Sequence, residues 1–419
     1  MEAYNPLKQE PEILDFWKEK RIYEKASEKN KGKKKFYFLD GPPYTSGKVH
    51  LGTAWNKSLK DSILRYKRMQ GFEVLDRAGY DMHGLPTENA AEKELGIKKK
   101  DDIKKFGVER FVKACKDLSI RNMNIMNQDF ERLGVWMDFK NAYQSVKKEF
   151  IDGEWWLVKK AHEKKRLYEG LRSMAWDWEH QTALAKHELE YKDIKDKSIF
   201  VKMQVKGKNA RKSKISGTTS GGNEFLIIWT TTPWTIAFNL GIMVNPNLDY
   251  VKCKVDKEYW IVAKALANAF ISGIAGKKYE VVEELKGKKL EGTEYVHPFY
   301  DELKDHYNEI KQKHPKTHTV VMSEEYVDIS SGSGLVHMAP GCGPEDYEVG
   351  HRNHIPAWNL VKEDGVYSEE MGKFAGMHAI KDNSKFTEYL KEKNAVVAQQ
   401  VVEHSYPHGQ RSHEPVIFR

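Results

Sequence analysis

The sequence predicts an α/β fold in two parts: a parallel-sheet domain over residues 1–190 and a β-rich α/β module over 191–400, with 401–419 returning toward the first part. Three observations carry this reading. Phe36-Tyr37-Phe38-Leu39, a Gly/Pro corner from Asp40 to Gly52, a stretch with Trp55, Leu59, Ile63 and Tyr66 at helical spacing, and Phe72-Glu73-Val74-Leu75 read as strand, loop, helix and strand. Near Tyr191 the pattern changes to short β-type runs. The chain, at 419 residues, also exceeds what one ordinary core accommodates.

Taken in order, residues 5–35 are polar and helical in flavour, with Ile13, Phe16 and Trp17 on one side, and Ala26 to Lys35 reads as a lysine-rich solvated loop. Phe36 to Leu39 reads as a buried strand, and the helix after Gly52 as amphipathic, with Trp55, Leu59, Ile63 and Tyr66 as its apolar side. Gly71 sits where a helix C′ glycine belongs. Residues 86–170 read as mainly helical. There Phe111, Cys115 and Leu118, then Met123, Met126 and Phe130, repeat at steps of three and four as core positions. Ser198 to Val205 alternates like a strand, and Lys206 to Gly222 is a Lys/Ser/Gly-rich loop. Short β runs follow from Phe225 to Val282, with a helix around Ala263 to Ile274. A helix over Tyr300 to Lys313 precedes a strand at Thr319 to Met322.

Composition narrows the function classes. A net charge of +8 suits a polyanionic partner without specifying one. Three cysteines, Cys115, Cys253 and Cys342, have no paired spacing, which argues against a disulfide framework and for a reducing compartment. The sequence shows neither a signal peptide nor a long uncharged apolar run, so the expectation is a cytoplasmic protein that makes no use of a membrane.

The corner between the first strand and helix has the geometry of a phosphate site. A helix N-terminus presents unpaired N–H groups and partial positive charge, and loops at the carboxyl ends of parallel strands are where α/β proteins bind ligands. His50 stands at that entrance, and Gly52, lacking a Cβ, leaves room for a flat ring. His50-Leu51-Gly52-Thr53 resembles the His-Ile-Gly-His signature of class I aminoacyl-tRNA synthetases, with Thr53 replacing the last histidine. Gly41-Pro42-Pro43-Tyr44 and Asn56-Lys57-x-Leu59-Lys60-Asp61 resemble the isoleucyl branch. Gly79-Tyr80-Asp81-Met82-His83-Gly84-Leu85-Pro86 is similar to a further segment of that family. The resemblance implies an incomplete Rossmann-like catalytic domain. ATP, with Mg2+, would be held by Pro43, Tyr44, Gly47, His50, Gly52 and Thr53, of which His50 and Gly52 serve catalysis. Asp81 would pair with the α-ammonium of isoleucine, Pro42 would line its side-chain pocket, and His83 would lie beside them.

A second chemical stretch falls in the 191–400 block. Trp229-Thr230-Thr231-Thr232-Pro233-Trp234-Thr235 gathers hydroxyls around a Pro-fixed bend, although threonines at such density also suit a β edge. Gly332 to Tyr347 forms a Gly/Pro-rich loop carrying His337, Glu345 and Asp346, too few ligands for a metal site. Cys342 in that loop reads as inert. Both strings resemble the editing domain inserted in isoleucyl, valyl and leucyl synthetases. That implies Asp346 anchoring the α-ammonium of a misattached amino acid, His337 lining its pocket, Thr230, Thr231 and Thr232 holding the terminal adenosine and the attacking water, and Asn239 nearby. Such a second pocket has a physical motive. One methylene is worth only about 1–3 kcal/mol of discrimination, a limit for which isoleucyl enzymes are the standard example.

The resemblance also implies what is missing. Paired Cys-x-x-Cys zinc ligands of the family are replaced around 176–180 and 408–413, where Asp177, His180, His408 and His413 make a poor set, so zinc is not expected. No Lys-Met-Ser-Lys-Ser loop occurs in the sequence. The expectation is the N-terminal portion of an isoleucine–tRNA ligase, with tRNA(Ile), isoleucine, ATP and the missing C-terminal half as partners. The rival expectations are a stand-alone aminoacyl-tRNA deacylase and an inert truncated fragment.

Overall fold

A computed structural model describes residues 4–98, 100–206 and 223–419. It divides into two compact units, Met1–Glu169 and Gly170–Arg419.

The first unit contains α1 (Pro6–Glu19), α2 (Ile22–Glu28), β1 (Lys35–Tyr37), α3 (Leu51–Met69), β2 (Glu73–Leu75), β3 (Arg77–Tyr80), α4 (Leu85–Leu95), α5 (Lys100–Phe106), α6 (Val108–Arg132), β4 (Asp138–Gln144) and α7 (Lys148–Glu163). The strand–helix–strand reading holds: β1 and β2 pair in parallel, Phe36 opposite Val74, with α3 between them in sequence. Gly71 at φ +89° ends α3, the N–H of Phe72 reaching Lys67 O at 3.1 Å and that of Gly71 reaching Arg68 O at 3.0 Å. This is a Schellman cap, which only a residue free to take positive φ closes cheaply. α6 buries Phe111, Leu118, Met123, Met126 and Phe130, as its spacing indicates.

Two expectations in this unit are corrected. Phe36 to Leu39 is not a buried strand: Tyr37 and Leu39 are 72% and 82% exposed. On α3 the apolar side is the outward one. Trp55, Leu59, Ile63 and Tyr66 are all more than half exposed, while Lys57, Leu64 and Arg68 are buried. On the inward side Lys57 and Arg68 are each paired with a buried carboxylate, Asp40 and Asp76, which makes burial of those cations tolerable. The stretch read as mainly helical is so, with one strand within it, β4, parallel to β3 with Tyr80 opposite Gln144.

The second unit contains β5 (Ala175–Asp177), β6 (Thr182–Ala183), β7 (Leu189–Val205), β8 (Glu224–Thr230), β9 (Gly241–Val244), β10 (Asp249–Val255), β11 (Glu258–Ala263), β12 (Glu280–Lys286), β13 (Tyr295–Val296), α8 (Lys304–Lys313), β14 (Thr319–Met322), β15 (Val336–Met338), α9 (Pro344–Arg352), α10 (Asn383–Glu392), β16 (Val396–Gly409) and β17 (Ile417–Phe418). A ten-stranded mixed sheet orders β12-β10-β11-β8-β15-β9-β14, with β7 joining β8, β13 and β16. The helix read over 263–274 is a 3-10 turn, Lys264–Leu266, followed by a π-turn, Asn268–Ile274. The Lys/Ser/Gly-rich stretch lies, after Lys206, outside the described residues.

Residues 170–190 and 401–419 both belong to this second unit. Strand pairing is the reason. β16 runs antiparallel along β7 from Val396 to Gly409, and Ile417 pairs with Trp176 on β5.

Candidate functional site

In the first unit the Gly/Pro corner is tied down by a buried charge. Asp40 is fully buried and takes Lys57 Nζ, Lys60 Nζ at 2.8 Å and the Gly79 N–H at 3.1 Å. Lys60 also donates to Gly41 O at 2.9 Å. From α6, Asn122 Nδ2 donates to Thr45 O at 2.9 Å and Asp129 accepts from the Val49 N–H at 3.3 Å. The loop is thereby fixed to α3, β3 and α6 at once.

Pinned this way, the Pro-Pro-Tyr segment lies along the Asp81 backbone. Asp81 N–H donates to Pro43 O and Thr45 N–H donates to Asp81 O, each at 3.0 Å, with Tyr44 bridged to Asp81 in parallel. Asp81 is half-buried, and burial raises its carboxyl above the usual range while His83 works against the rise. Pro42, Tyr44, His50, Gly52 and His83 are exposed, and Pro43, Gly47 and Thr53 half-buried.

His50 is the N-cap of α3. Its Nδ1 accepts from the Thr53 N–H at 3.4 Å and its Nε2 lies 3.0 Å from Thr53 Oγ1. With Nδ1 accepting, the ring proton belongs on Nε2, where Thr53 Oγ1 takes it. Gly52 makes the fold-back possible, since a Cβ there would sit 3.1 Å from the imidazole. Asp40 and Lys57 were quoted in the sequence motifs without a role. The signal was a lysine on the side of the helix opposite its apolar stripe.

In the second unit β15 brings the two chemical strings together. Val336 pairs with Trp229 at the end of β8, and His337 with Ile242 on β9. The Thr232 N–H donates to Thr230 Oγ1 at 3.0 Å, and the two hydroxyls lie 3.2 Å apart. Thr235 Oγ1 donates to Thr232 O at 2.8 Å and lies 2.9 Å from His337 Nε2. Asn239 Nδ2 donates to Gly241 O at 2.8 Å and lies 3.3 Å from His337 Nδ1, while its Oδ1 accepts from Tyr295 OH. Because Asn239 presents its amide N–H groups to Nδ1, His337 carries its proton on Nε2 and hands it toward Thr235. Burial holds the His337 pKa down to about 4, so the ring is neutral near pH 7.

Asp346, in the first turn of α9, accepts from the Ala339 N–H at 3.0 Å, two residues past His337. Burial lifts its pKa to about 7 against that hydrogen bond. Its described hydrogen bond runs to Ala339 and not to the threonines. Thr231 is half-buried between Thr230 and Thr232. The Cys342 thiol is pushed well above its ordinary value by burial and by Asp346, which removes it as a thiolate nucleophile. Sequence reading assigned nothing to Thr235, Tyr295 or His318, whose Nε2 lies 3.1 Å from Asn239 O. Thr235 stood inside the quoted Thr/Pro string without a role, whereas Tyr295 and His318, 56 and 79 positions from Asn239, left no signal to find.

At the family's zinc positions Asp177, His180, Gly409 and Ser412 come together, since a Cβ on Gly409 would stand 2.6 Å from Ser412 Oγ and 3.0 Å from Asp177 Oδ2, but glycine offers no ligand and serine a poor one, while His408 and His413 turn to other partners. Asp177 takes His180 Nδ1 at 2.9 Å and the N–H groups of Glu179 and His180 at 3.0 Å. His408 Nδ1 lies 2.9 Å from Tyr406 O, and His413 Nδ1 lies 3.0 Å from Glu190. Among the described residues no three His, Cys, Asp or Glu side chains gather as a metal site, and this donor set does not fit zinc.

Comparison with known proteins agrees with the motifs. A family model described as tRNA synthetases class I (I, L, M and V) matches residues 12–297. Isoleucine--tRNA ligase of Pyrococcus furiosus is 46% identical over 99% of this chain and 38% of its own length. That of Methanocaldococcus jannaschii is 41% identical over 100% of this chain and 40% of its own. The chain thus spans about two fifths of the length of these relatives. A crystal structure of GlLeuRS-CP1 aligns over 48% of this chain and 98% of its own, at 15% identity and a TM-score of 0.35, a likeness too distant to argue from. By the family model and by its own motifs, the chain belongs to the class I tRNA synthetases that comprise the I, L, M and V enzymes.

Proposed function

We propose that this chain carries the amino-acid activation site and the proofreading site of an isoleucine–tRNA ligase. The observation that carries the reading is the coupling of Asp81 to the Pro43–Thr45 loop beside the His50-capped end of α3. A carboxylate for an α-ammonium and a helix N-terminus for phosphate thus stand at the two ends of one loop, Asp81 held to its Pro43–Thr45 part and His50 closing it. The isoleucine carboxylate oxygen attacks the α-phosphorus of Mg2+-bound ATP in line, the bond to pyrophosphate breaks, and isoleucyl-adenylate forms. On phosphate binding the His50 ring turns its Nε2–H from Thr53 Oγ1 to the phosphoryl oxygens, and with the first N–H groups of α3, that of Thr53 released from His50 Nδ1, it stabilises the charge that builds there. A terminal ribose hydroxyl of tRNA(Ile) then attacks the carbonyl and AMP leaves.

Proofreading falls to the second unit. A misattached valine enters with its ammonium on Asp346, and the cation returns that carboxyl to its ionised form. The Thr230–Thr232 hydroxyls hold the terminal adenosine and a water, and that water attacks the ester carbonyl to release valine and free tRNA. No protein nucleophile is required. The ATP-dependent step is proposed to need the remainder of a longer synthetase, supplied in the same chain or in trans.

Isoleucine-dependent exchange of pyrophosphate into ATP, measured with that remainder present and lost in Asp81→Ala, tests the first site. A second reading, a deacylase alone, is favoured by one observation: every proofreading residue lies within the second compact unit. Under it, Val-tRNA is hydrolysed while exchange is absent in every combination.

A further inference from the structure

We propose that a cavity at the far end of α3 from His50 binds a small phosphate ester with a flat apolar part, of about nucleotide size. The cavity measures about 510 Å3 and is lined by Lys29, Asn30, Lys33, Arg65, Arg68 and Trp136, with the turn at Gly71. This volume lies in the range of small-molecule sites. At 1.5 Å per residue, Arg68 stands about 27 Å along the helix from His50, so the cavity is a separate place from the activation site.

Charge and hydrogen bonding specify the ligand. Four cationic side chains line the cavity and, among the described residues, no carboxylate does. Arg65 and Arg68 are each matched by one carboxylate, Asp61 and Asp76, which leaves the two lysines in excess. Arg68 is 7% exposed, and only its remaining nitrogen is engaged with Asp76: Nε and one terminal nitrogen have no partner among the described residues. A buried guanidinium in that state bears an unrecovered desolvation cost, and an oxyanion is the natural acceptor for its fork. The helix end itself does not oppose an anion strongly. Its last carbonyls are taken by the N–H groups of Gln70, Gly71 and Phe72, and Arg68 O also accepts from Asn30 Nδ2 at 2.8 Å. The Arg65 guanidinium covers the Trp136 ring at 3.9 Å from its centroid and Trp17 packs edge-on to it, so the flat part of the ligand stacks against this guanidinium–indole pair rather than on a bare ring.

The test is 15N NMR of arginine Nε–H groups in the 419-residue chain, with Arg68 assigned by its loss in Arg68→Lys. Inorganic phosphate, AMP and a short oligoribonucleotide are titrated separately. The proposal expects phosphate and AMP to shift the Arg68 Nε–H signal and AMP to bind at least tenfold more tightly than phosphate. It also expects Lys29→Ala/Lys33→Ala, which alters only exposed side chains, to weaken AMP at least tenfold. An Arg68 signal unmoved by both small ligands overturns it, as does AMP binding indifferent to the lysine pair, or a response to the oligonucleotide alone. If Arg68→Lys does not fold, the lysine pair alone decides the matter.

Discussion

Asp346 and His337 are buried titratable groups whose shifts run in opposite senses for the same reason: a low-dielectric pocket favours the neutral form of each. With its pKa near 7 in the folded chain and near 4 in the unfolded one, Asp346 binds more protons folded. Its contribution to stability therefore falls as pH rises from about 4 to 7. Asp346→Asn should raise the melting temperature at pH 8 and change it little at pH 4, which calorimetry at the two pH values checks. His337 sits near 4 folded against about 6.5 unfolded, so its contribution is full above about 6.5 and lost as pH falls toward 4. His318, held near 3 by burial, adds to the same acid-side loss. His337→Gln should flatten the decline in stability between pH 6.5 and 4, measured by urea unfolding. In the first unit Lys57→Met leaves the buried Asp40 with Lys60 and the Gly79 N–H as its partners among the described residues. Losing one member of a buried pair costs about 3–5 kcal/mol, and Lys60 should hold the loss near the lower figure, to be read from denaturant titration.

Among the elements, α3 links the Asp40–His50 loop, the β1/β2 ladder and the cavity at its far end. Its end depends on Gly71 at positive φ, so Gly71→Ala should cost about 1 kcal/mol, measurable by the same titration. Much of this architecture was legible in the sequence. The βαβ unit, the α6 core spacing and the β7 strand followed from periodicity, because each depends on residues adjacent in the chain. Apolar periodicity misread the inward side of α3, because a carboxylate from another element decides whether a lysine is buried, and periodicity does not see partners. For the same reason Tyr295 and His318 were invisible beside Asn239: the sheet order that unites them is a long-range property. Thr231 and Asp346 were named from resemblance, and their roles rest on the proposed chemistry.

On the scale of the whole chain, two compact units each hold one proposed site, and the pocket chemistries differ as their tasks require. One site combines an ammonium acceptor with a phosphate-favouring helix end. The other gathers the Thr230, Thr232 and Thr235 hydroxyls, a buried neutral His337 and, two residues past it, the Ala339 N–H that holds the buried Asp346 carboxyl. Sorting side chains that differ by a methylene needs both, since one binding step supplies too little discrimination. The net charge of +8 fits a tRNA partner through its phosphates, and raising salt should weaken tRNA binding with a negative log–log slope. The most direct measurement is the hydrolysis of Val-tRNA(Ile) and Ile-tRNA(Ile) by this chain and its Asp346→Ala variant. The account predicts that valine is released at least a hundredfold faster than isoleucine and that the substitution abolishes the release. Equal hydrolysis of the two esters, or an Asp346→Ala chain as active as its parent, would contradict it.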